Sequence, residues 1–198
     1  MRILGLTGSI AMGKSTAARM LRRLKVPVHD ADDCVHRLFV EGGRAVGPIS
    51  KAFHGVVKGG AVDRSRLGAQ VFDKPDELIK LEAIVHPLVR GDRDRFLAAH
   101  RRRRTRLVVL DVPLLFESGG HRGCDEIVVV SAPGFLQRRR ALARPDMTPG
   151  KLASILARQM SDHRKRRLAD VVISTGLGFA DTHRRLARYL KRRRKIRA

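Results

Sequence analysis

The feature that most constrains the fold lies near the start of the chain, where a short segment matches the pattern G-x-x-x-x-G-K-S/T at every fixed position. The segment runs from Gly8 to Ser15 and reads GSIAMGKS. The apolar residues 3–6 precede it directly, and helical apolar spacing begins at Lys14. A strand, a glycine-bearing turn and a helix in this order predict a phosphate-binding loop, or P-loop.

Each fixed residue of the predicted P-loop has a physical role. Gly8 and Gly13 let the backbone turn tightly, so that its N–H groups can reach phosphate oxygens. The helix that follows adds its positive N-terminal end to the same anion site. Lys14 supplies a compact positive charge for the β- and γ-phosphates of ATP, and the Ser15 hydroxyl can bind Mg²⁺. The predicted ATP-binding residues of the loop are Gly8, Ala11, Met12, Gly13, Lys14, Ser15 and Thr16.

Apolar runs farther along the chain predict the rest of the fold. Continuous runs at 107–110, 127–130 and 171–173 indicate strands that are buried on both faces of a parallel sheet, and 26–28 indicates a further short strand. The predicted helices cover 75–104 (with a bend or boundary at Pro87), 134–143, 149–168 and 179–191. Alternating strands and helices predict an α/β fold, with a doubly wound parallel sheet of about five strands flanked by helices. The periodicity at 40–62 is too weak to predict elements.

Length and composition predict one domain in a reducing compartment. A chain of 198 residues with 43% hydrophobic residues can build a single core. It has no apolar run long enough to cross a bilayer, and its first residues lack the character of a signal peptide. The two cysteines, Cys34 and Cys124, are too few and too far apart for a disulfide framework or a zinc site. We therefore expect buried thiols, a cytoplasmic location and no membrane partner.

The charge of the chain allows two interpretations. The formal net charge is +23, and 32 of the 42 basic residues are arginine. They cluster at 101–106 and 191–197. Such a field attracts polyanions, so nonspecific polyanion binding through the basic C-terminal tail is one interpretation. A solvated basic surface is the other, and we favour it because charge runs are common at helix ends and 4% aromatic residues leave little for base stacking.

The P-loop by itself leaves several classes of nucleotide-binding protein open. GTPases use an Asn-Lys-x-Asp element to read guanine, and this chain contains no Asn. The chain is also short for a motor ATPase. A kinase that acts on a small molecule is the economical interpretation, and a nucleic-acid-binding ATPase that uses the basic clusters is the alternative. A kinase needs an acceptor-side base, cations that bind the transferred phosphoryl group, and a closing lid.

Three carboxylates are candidates for the acceptor-side base. Asp30, Asp32 and Asp33 follow the predicted second strand, at the carboxyl edge where ligands bind in open α/β sheets. A carboxylate at this position can accept a proton from an attacking hydroxyl. Asp30 or Asp32 can also cap the next helix. Because capping and catalysis need different aspartates, both interpretations can hold.

Arginines and one more aspartate are candidates for the phosphoryl-transfer end of the site. Arg140 and Arg144 share a helix face if the helix extends that far, and arginine binds phosphate in a bidentate way. A solvated basic helix is the alternative. Asp111 ends a predicted buried strand, where it can bind Mg²⁺ or simply stabilise the turn that follows.

Several segments together resemble motifs of the dephospho-coenzyme A kinase family. In chain order the segments are LTGSIAMGKST at 6–16, VHDAD at 28–32, HPL at 86–88, DVPLLFE at 111–117, RQMS at 158–161 and ADVVI at 169–173. They are similar to the family's L-T-G-G-I-G-S-G-K-S-T, V-x-D-A-D, H-P-L, x-x-P-L-L-F-E, R-x-x-Q-x-S and A-D-x-V-I. The matches keep the family's order and span residues 3–178.

The resemblance implies an activity and an architecture. The activity is transfer of the γ-phosphoryl group of ATP to the ribose 3′-hydroxyl of dephospho-coenzyme A, which makes ATP and dephospho-coenzyme A the expected partners. Another P-loop kinase, acting on a nucleoside or small alcohol, is the alternative. The architecture is a nucleotide core, an inserted helical substrate-binding region at about 33–105 and a lid at about 138–150. For the assembly we expect a monomer or a weak homo-oligomer.

The resemblance also implies roles for individual residues. Asp32 would be the base, Lys14 and Gln159 would bind ATP, and Arg140 and Arg144 would be lid cations. The residues expected near the acceptor are Asp30, His86, Pro87, Pro113, Leu114 and Leu115. Ser15 and Asp111 remain the candidates for binding Mg²⁺ on their own chemistry and position in the sequence. For His86 a satisfied histidine at a helix end is the alternative.

The chain departs from the family pattern at two places. Ala11 and Met12 stand where the family's loop has Gly and Ser, and an alanine is unfavourable at a positive φ angle. Thr175 stands where the family usually has Asn, in a segment that the resemblance implies is near the adenine.

Overall fold

The computed structural model describes residues 1–195, which fold into two compact units. The strands are β1 (Arg2–Thr7), β2 (Val28–Asp30), β3 (Val57–Lys58), β4 (Ala61–Val62), β5 (Leu107–Asp111), β6 (Glu126–Ser131) and β7 (Val171–Ser174). The helices are α1 (Lys14–Arg23), α2 (Ala31–Phe39), α3 (Val46–Ala52), α4 (Arg64–Val71), α5 (Pro75–Arg102), α6 (Gly134–Leu142), α7 (Pro149–Arg158), α8 (Asp162–Leu168) and α9 (Phe179–Lys195). Within the described residues, the first unit comprises 1–29 and 104–195, and the second comprises Asp30–Arg103.

The first unit is built on a five-stranded sheet. Its strand order is β2-β5-β1-β6-β7, and β1 pairs in parallel with both β5 and β6. All six residues of β6 are buried, because a central parallel strand is covered on both faces. This sheet, flanked by helices, confirms the predicted α/β fold class and brings the carboxyl ends of β1, β5 and β6 to one edge.

Alternate residues of the central strand pack into different cores. Val128 and Val130 join a cluster that contains Leu21 of α1 and Leu186 of α9. Ile127 and Val129 join another cluster with Leu115 and Phe116. Because successive side chains of a strand point to opposite faces, each face of the sheet receives its own cover.

The second unit has a hydrophobic core of its own. Buried residues from α2, α3 and α5, among them Leu38, Ile49 and Val85, form this core. Residues 40–62, for which the sequence predicts no elements, contain α3 and the antiparallel hairpin of β3 and β4. Of the bend or boundary expected at Pro87, the boundary is wrong, because α5 continues through Pro87 as one helix of 28 residues. Proline removes one backbone hydrogen bond of the helix, and the partly buried Ile84 and Leu88 near it pack against the core of this unit.

The single helix expected at 149–168 is two helices. Gln159 leaves the helical conformation, and the Ser161 hydroxyl then accepts a hydrogen bond from Arg164 N at 3.3 Å to cap α8. A serine cap competes with helix continuation, which is why the apolar periodicity alone misleads here.

Two further expectations concern the surface. Among the described helices none is long and apolar enough to cross a membrane. The C-terminal basic cluster begins on the last turns of α9, and its Ile196 and Arg197 lie outside the described residues. Binding of polyanions by this tail stays a prediction.

Candidate active site

The P-loop joins β1 to α1 through two left-handed residues. Gly13, at φ +89°, precedes α1 directly, and Ala11 has φ +59°. A left-handed alanine costs about 1–2 kcal/mol, so the strain anticipated from the sequence is present. A Cβ added at Gly8 would lie 2.6 Å from Val130 Cγ2, which leaves room there only for glycine. The loop is therefore held close to the end of β6.

Lys14 and Asp111 form a buried ion pair at the carboxyl edge of the sheet. Lys14 Nζ lies 2.7 Å from Asp111 Oδ1, and the two side chains are 11% and 1% exposed. Lys14 begins α1 after the P-loop, whereas Asp111 ends β5, where it pairs in register with Leu6 of β1. The structure thus brings together a cation and a hard oxygen ligand that the sequence predicted separately.

Two glutamines contact the backbone of the P-loop at one residue. Ile10 N–H donates to Gln159 Oε1 at 3.0 Å, and Gln137 Nε2 donates to the Ile10 carbonyl at 3.0 Å. Gln137 belongs to α6, and Gln159 follows α7 directly. The contact that the structure gives Gln159 is therefore to the loop itself.

Thr175 connects the P-loop to Arg140. Its hydroxyl donates to the Met12 carbonyl at 2.8 Å, and Arg140 Nη2 donates to the Thr175 carbonyl at 2.9 Å. Arg140 Nη1 also lies 3.3 Å from Thr175 Oγ1. A Cβ added at Gly13 would lie 3.2 Å from the same hydroxyl oxygen. The residue that replaces the family's Asn is thus packed against the loop.

The segment predicted as a lid packs on the P-loop side chains. Ala11 lies in one small apolar cluster with Ala141 and Leu152, and Ile10 packs against it. Helix α6 ends at Leu142, so the condition for Arg140 and Arg144 to share its face is not met. Arg144 lies beyond the helix and is exposed.

The turn after β5 holds three of the six residues expected near the acceptor, Pro113, Leu114 and Leu115. Thr7 Oγ1 donates to the Pro113 carbonyl at 2.9 Å, which ties the turn to the end of β1. Leu114 is 43% exposed, whereas Leu115 is 1% exposed and lies in the core with Phe116. Leu114 can therefore contact a ligand directly, and Leu115 supports the turn from below.

The second unit carries the remaining predicted residues. Asp30 Oδ1 accepts hydrogen bonds from Asp32 N at 3.1 Å and Asp33 N at 3.2 Å, so Asp30 is the cap of α2. This settles which aspartate caps the helix. Asp32 lies exposed in the first turn of α2, and His86 and Pro87 are exposed within α5. His86 lies at mid-helix, so the alternative of a helix-end histidine is wrong.

Comparison with known proteins identifies the family to which the chain belongs. The sequence profile of the dephospho-CoA kinase family matches residues 2–181. The chain belongs to the dephospho-CoA kinase family. This membership confirms the resemblance and the prediction of a P-loop kinase, and it favours neither a different small-molecule kinase nor a nucleic-acid-binding ATPase.

Individual relatives agree with the family membership. The chain is 65% identical to a dephospho-CoA kinase of Paramagnetospirillum magneticum over 166 residues, which are 84% of this chain and 78% of the relative. The crystal structure of TT1252 from Thermus thermophilus has a TM-score of 0.81 at 33% identity and covers 100% of this chain and 98% of its own. A dephospho-CoA kinase from Campylobacter jejuni, at 21% identity, shares the fold with a TM-score of 0.68 and covers 96% of each chain.

This member of the dephospho-CoA kinase family also contains an ion pair between a buried lysine and a partly exposed glutamate beneath the turn after β5. Lys165 of α8 is fully buried, with Nζ 2.9 Å from Glu117 Oε1 and 3.4 Å from the Pro113 carbonyl. Glu117 Oε1 also accepts from Met160 N at 2.9 Å. Burial raises the pKa of Glu117, but the hydrogen bonds from Lys165 and the backbone outweigh it, so that the pKa lies below its ordinary value.

Sequence reasoning missed two residues that support the site, Gln137, which contacts the P-loop backbone, and Lys165, which holds the turn after β5. It singled out Thr175 but not its hydrogen bond to the P-loop. Gln137 is three residues before Arg140 on α6, and this spacing was the one available signal that it shares a face with a candidate site residue. Lys165 lies in a run of basic residues and has no signal that separates it from its exposed neighbours.

Proposed function

We propose that the chain transfers the γ-phosphoryl group of ATP to the ribose 3′-hydroxyl of dephospho-coenzyme A. The observation that carries the proposal is the family match over residues 2–181, which includes an intact P-loop. The finer assignments that follow rest on the chemistry of the residues and on the family motifs.

The P-loop and Lys14 bind the triphosphate in this proposal. The loop amides and the positive end of α1 attract the phosphate oxygens, and Lys14 binds the β- and γ-phosphates. The neighbouring ATP-site residues are Gly8, Ala11, Met12, Gly13, Ser15 and Thr16. Gln159 acts on ATP through its bond to Ile10 N.

Mg²⁺ fits the residues at the edge of the sheet. The Ser15 hydroxyl and the Asp111 carboxylate are hard oxygen ligands, the class that Mg²⁺ prefers, and Asp111 ends the strand beside the loop. When bound, the ion neutralises charge that develops on the phosphates.

Asp32 is the proposed base. As the 3′-oxygen of the ribose forms a bond to the γ-phosphorus, the bond from that phosphorus to the β,γ-bridging oxygen breaks and ADP leaves. The hydroxyl proton passes to the Asp32 carboxylate. Asp30 is engaged as a helix cap, which favours Asp32 for this role.

The other predicted residues act on position and charge. Arg140 and Arg144 stabilise the charge of the transferred phosphoryl group. His86, Pro87, Pro113 and Leu114 contact the acceptor, and Leu115 keeps the turn in place. We assign the substrate-binding role to the region at about 33–105 and the lid to about 138–150. A reducing cytoplasm is the proposed location.

A coupled assay of ADP release tests the proposal. Dephospho-coenzyme A should stimulate ADP release in the presence of Mg²⁺, whereas adenosine, shikimate and gluconate should not. Release that depends on another acceptor would favour a different small-molecule kinase. Release that depends on RNA, and that collapses between low and moderate salt, would favour the nucleic-acid-binding alternative.

A further inference from the structure

The P-loop backbone is held at Ile10 by two side chains from different elements. The Ile10 N–H donates to Gln159 Oε1, and the Ile10 carbonyl accepts from Gln137 Nε2, both at 3.0 Å. Each carboxamide presents the atom that its backbone partner requires, an oxygen to the N–H and an NH₂ to the carbonyl. Both backbone hydrogen-bonding groups of one loop residue are therefore fixed by side chains.

The direction of the Ile10 carbonyl fixes the direction of the next amide. In a trans peptide the C=O and the following N–H point to opposite sides. The chain contains no cis peptide in its described part, so the Ile10 carbonyl and Ala11 N–H are opposed. By drawing the carbonyl toward α6, Gln137 turns Ala11 N–H away from that helix. If this peptide were flipped, the Ile10 carbonyl oxygen would take the place of Ala11 N–H, and its partial negative charge would repel a bound phosphate.

Side-chain packing holds the same residues. Ile10 and Ala11 pack with Ala141 and Leu142 of α6 and with Leu152 of α7. Ala11 is kept in its left-handed conformation at φ +59° in this environment. Ala11, the strained residue, therefore follows Ile10, whose backbone is held by two hydrogen bonds, and packs in an apolar cluster. Strained backbone persists only where surrounding contacts of this kind fix it.

We propose that Gln137 and Gln159 are positioning residues that set the P-loop amides for the phosphates of ATP. They act through Ile10 and need not contact the nucleotide. The inference rests on the proposed ATP site but not on the identity of the acceptor. It also explains how α6 and α7 bear on nucleotide binding through the loop.

Neutral substitutions at both positions give the first test. Gln137→Met and Gln159→Met keep the side-chain length and remove one hydrogen bond each. We expect the Kd for ATP, measured by calorimetry, to rise about two- to tenfold in each variant. Gln70→Met is the matched control, because Gln70 Nε2 donates to the His54 carbonyl at 2.8 Å in the second unit. Its Kd for ATP should equal that of the unsubstituted chain.

Glutamate substitutions separate positioning from a loss of stability. A glutamate at 159 still accepts from Ile10 N–H, whereas a glutamate at 137 cannot donate to the Ile10 carbonyl. Amide hydrogen exchange at Ile10, followed by NMR, should therefore stay slow in Gln159→Glu and become at least about tenfold faster in Gln159→Met. Both variants of residue 159 should retain the circular dichroism of the folded chain.

The outcomes distinguish this inference from the proposed function. Unchanged Ile10 exchange in Gln159→Met, or an unchanged Kd for ATP in both methionine variants, would overturn the positioning role. Failure of dephospho-coenzyme A to stimulate ADP release would overturn the acceptor assignment. The Kd values for ATP and the exchange rates at Ile10 would still test the positioning role, because neither depends on the acceptor.

Discussion

Lys14 Nζ and Asp111 Oδ1 lie 2.7 Å apart, so the cation of the P-loop is balanced by a carboxylate at the end of the neighbouring strand. Asp111 is 1% exposed, and a buried charge that loses its partner is costly. The pair therefore links the stability of the sheet edge to the charge that the proposed site presents to ATP.

Lys14→Met should lower both stability and ATP binding. We expect a loss of about 3–5 kcal/mol in the free energy of unfolding, measured by urea denaturation, because the buried Asp111 carboxylate loses its ion pair with Lys14. The double variant Lys14→Met/Asp111→Asn should recover much of the stability but no kinase activity. Recovery of activity in the double variant would show that Lys14 has a structural role alone.

Asp32→Asn should lower kcat by about two to four orders of magnitude, because the amide cannot accept the hydroxyl proton. The Kd for ATP should change little. Asp33→Asn is the control, since Asp33 lies on the same helical turn and pairs with Arg37. An equal effect of both variants would reflect the charge of the turn, and an unchanged rate in Asp32→Asn would assign the base to another residue.

Thr175→Val should lower the free energy of unfolding, because a hydrogen bond to the P-loop backbone is lost, whereas Thr175→Ser should leave it nearly unchanged. Valine has nearly the shape of threonine but removes the hydroxyl that donates to the Met12 carbonyl at 2.8 Å. Leaving that buried carbonyl unsatisfied costs about 1–3 kcal/mol, which calorimetric unfolding can measure. Serine keeps the donor and serves as the matched control. Equal stability of the two variants would mean that the hydroxyl has no role.

The Glu117–Lys165 pair should make stability fall in acid. The folded-state pKa of Glu117 is lowered, so its contribution is present above the ordinary value of 4.5 and is lost as the pH falls through the lower folded-state pKa. Urea denaturation between about pH 3 and pH 6.5 measures this loss. The double variant Glu117→Leu/Lys165→Met should show a shallower dependence on pH over this range. An unchanged dependence would mean that other carboxylates dominate.

The sequence predicted those parts of the structure that depend on residues next to one another in the chain. The P-loop is a run of neighbouring residues, and the buried strands are runs of valine, isoleucine and leucine, so both follow from short windows of sequence. The Gly59-Gly60 pair, which forms the two-residue turn between β3 and β4, is a sequence signal for a hairpin. The hairpin was nevertheless not predicted, because the residues on either side of the pair show only weak periodicity.

Contacts between distant residues could not be predicted in the same way. Gln137 and Gln159 are 127 and 149 residues from Ile10, and Thr175 is 163 residues from Met12. Each bond joins a side chain to a backbone group, and a backbone group is the same at every position. The sequence therefore carries no pattern that marks the partner, and the folded chain is needed to find it.

The product of the reaction tests the central claim most directly. The chain should be incubated with ATP, Mg²⁺ and dephospho-coenzyme A, and the product examined by mass spectrometry and phosphorus NMR. We predict a gain of one phosphate group on the ribose 3′-oxygen, and no such product with Lys14→Met. ATP turnover that leaves dephospho-coenzyme A unmodified, or a phosphate group at another position, would contradict the account.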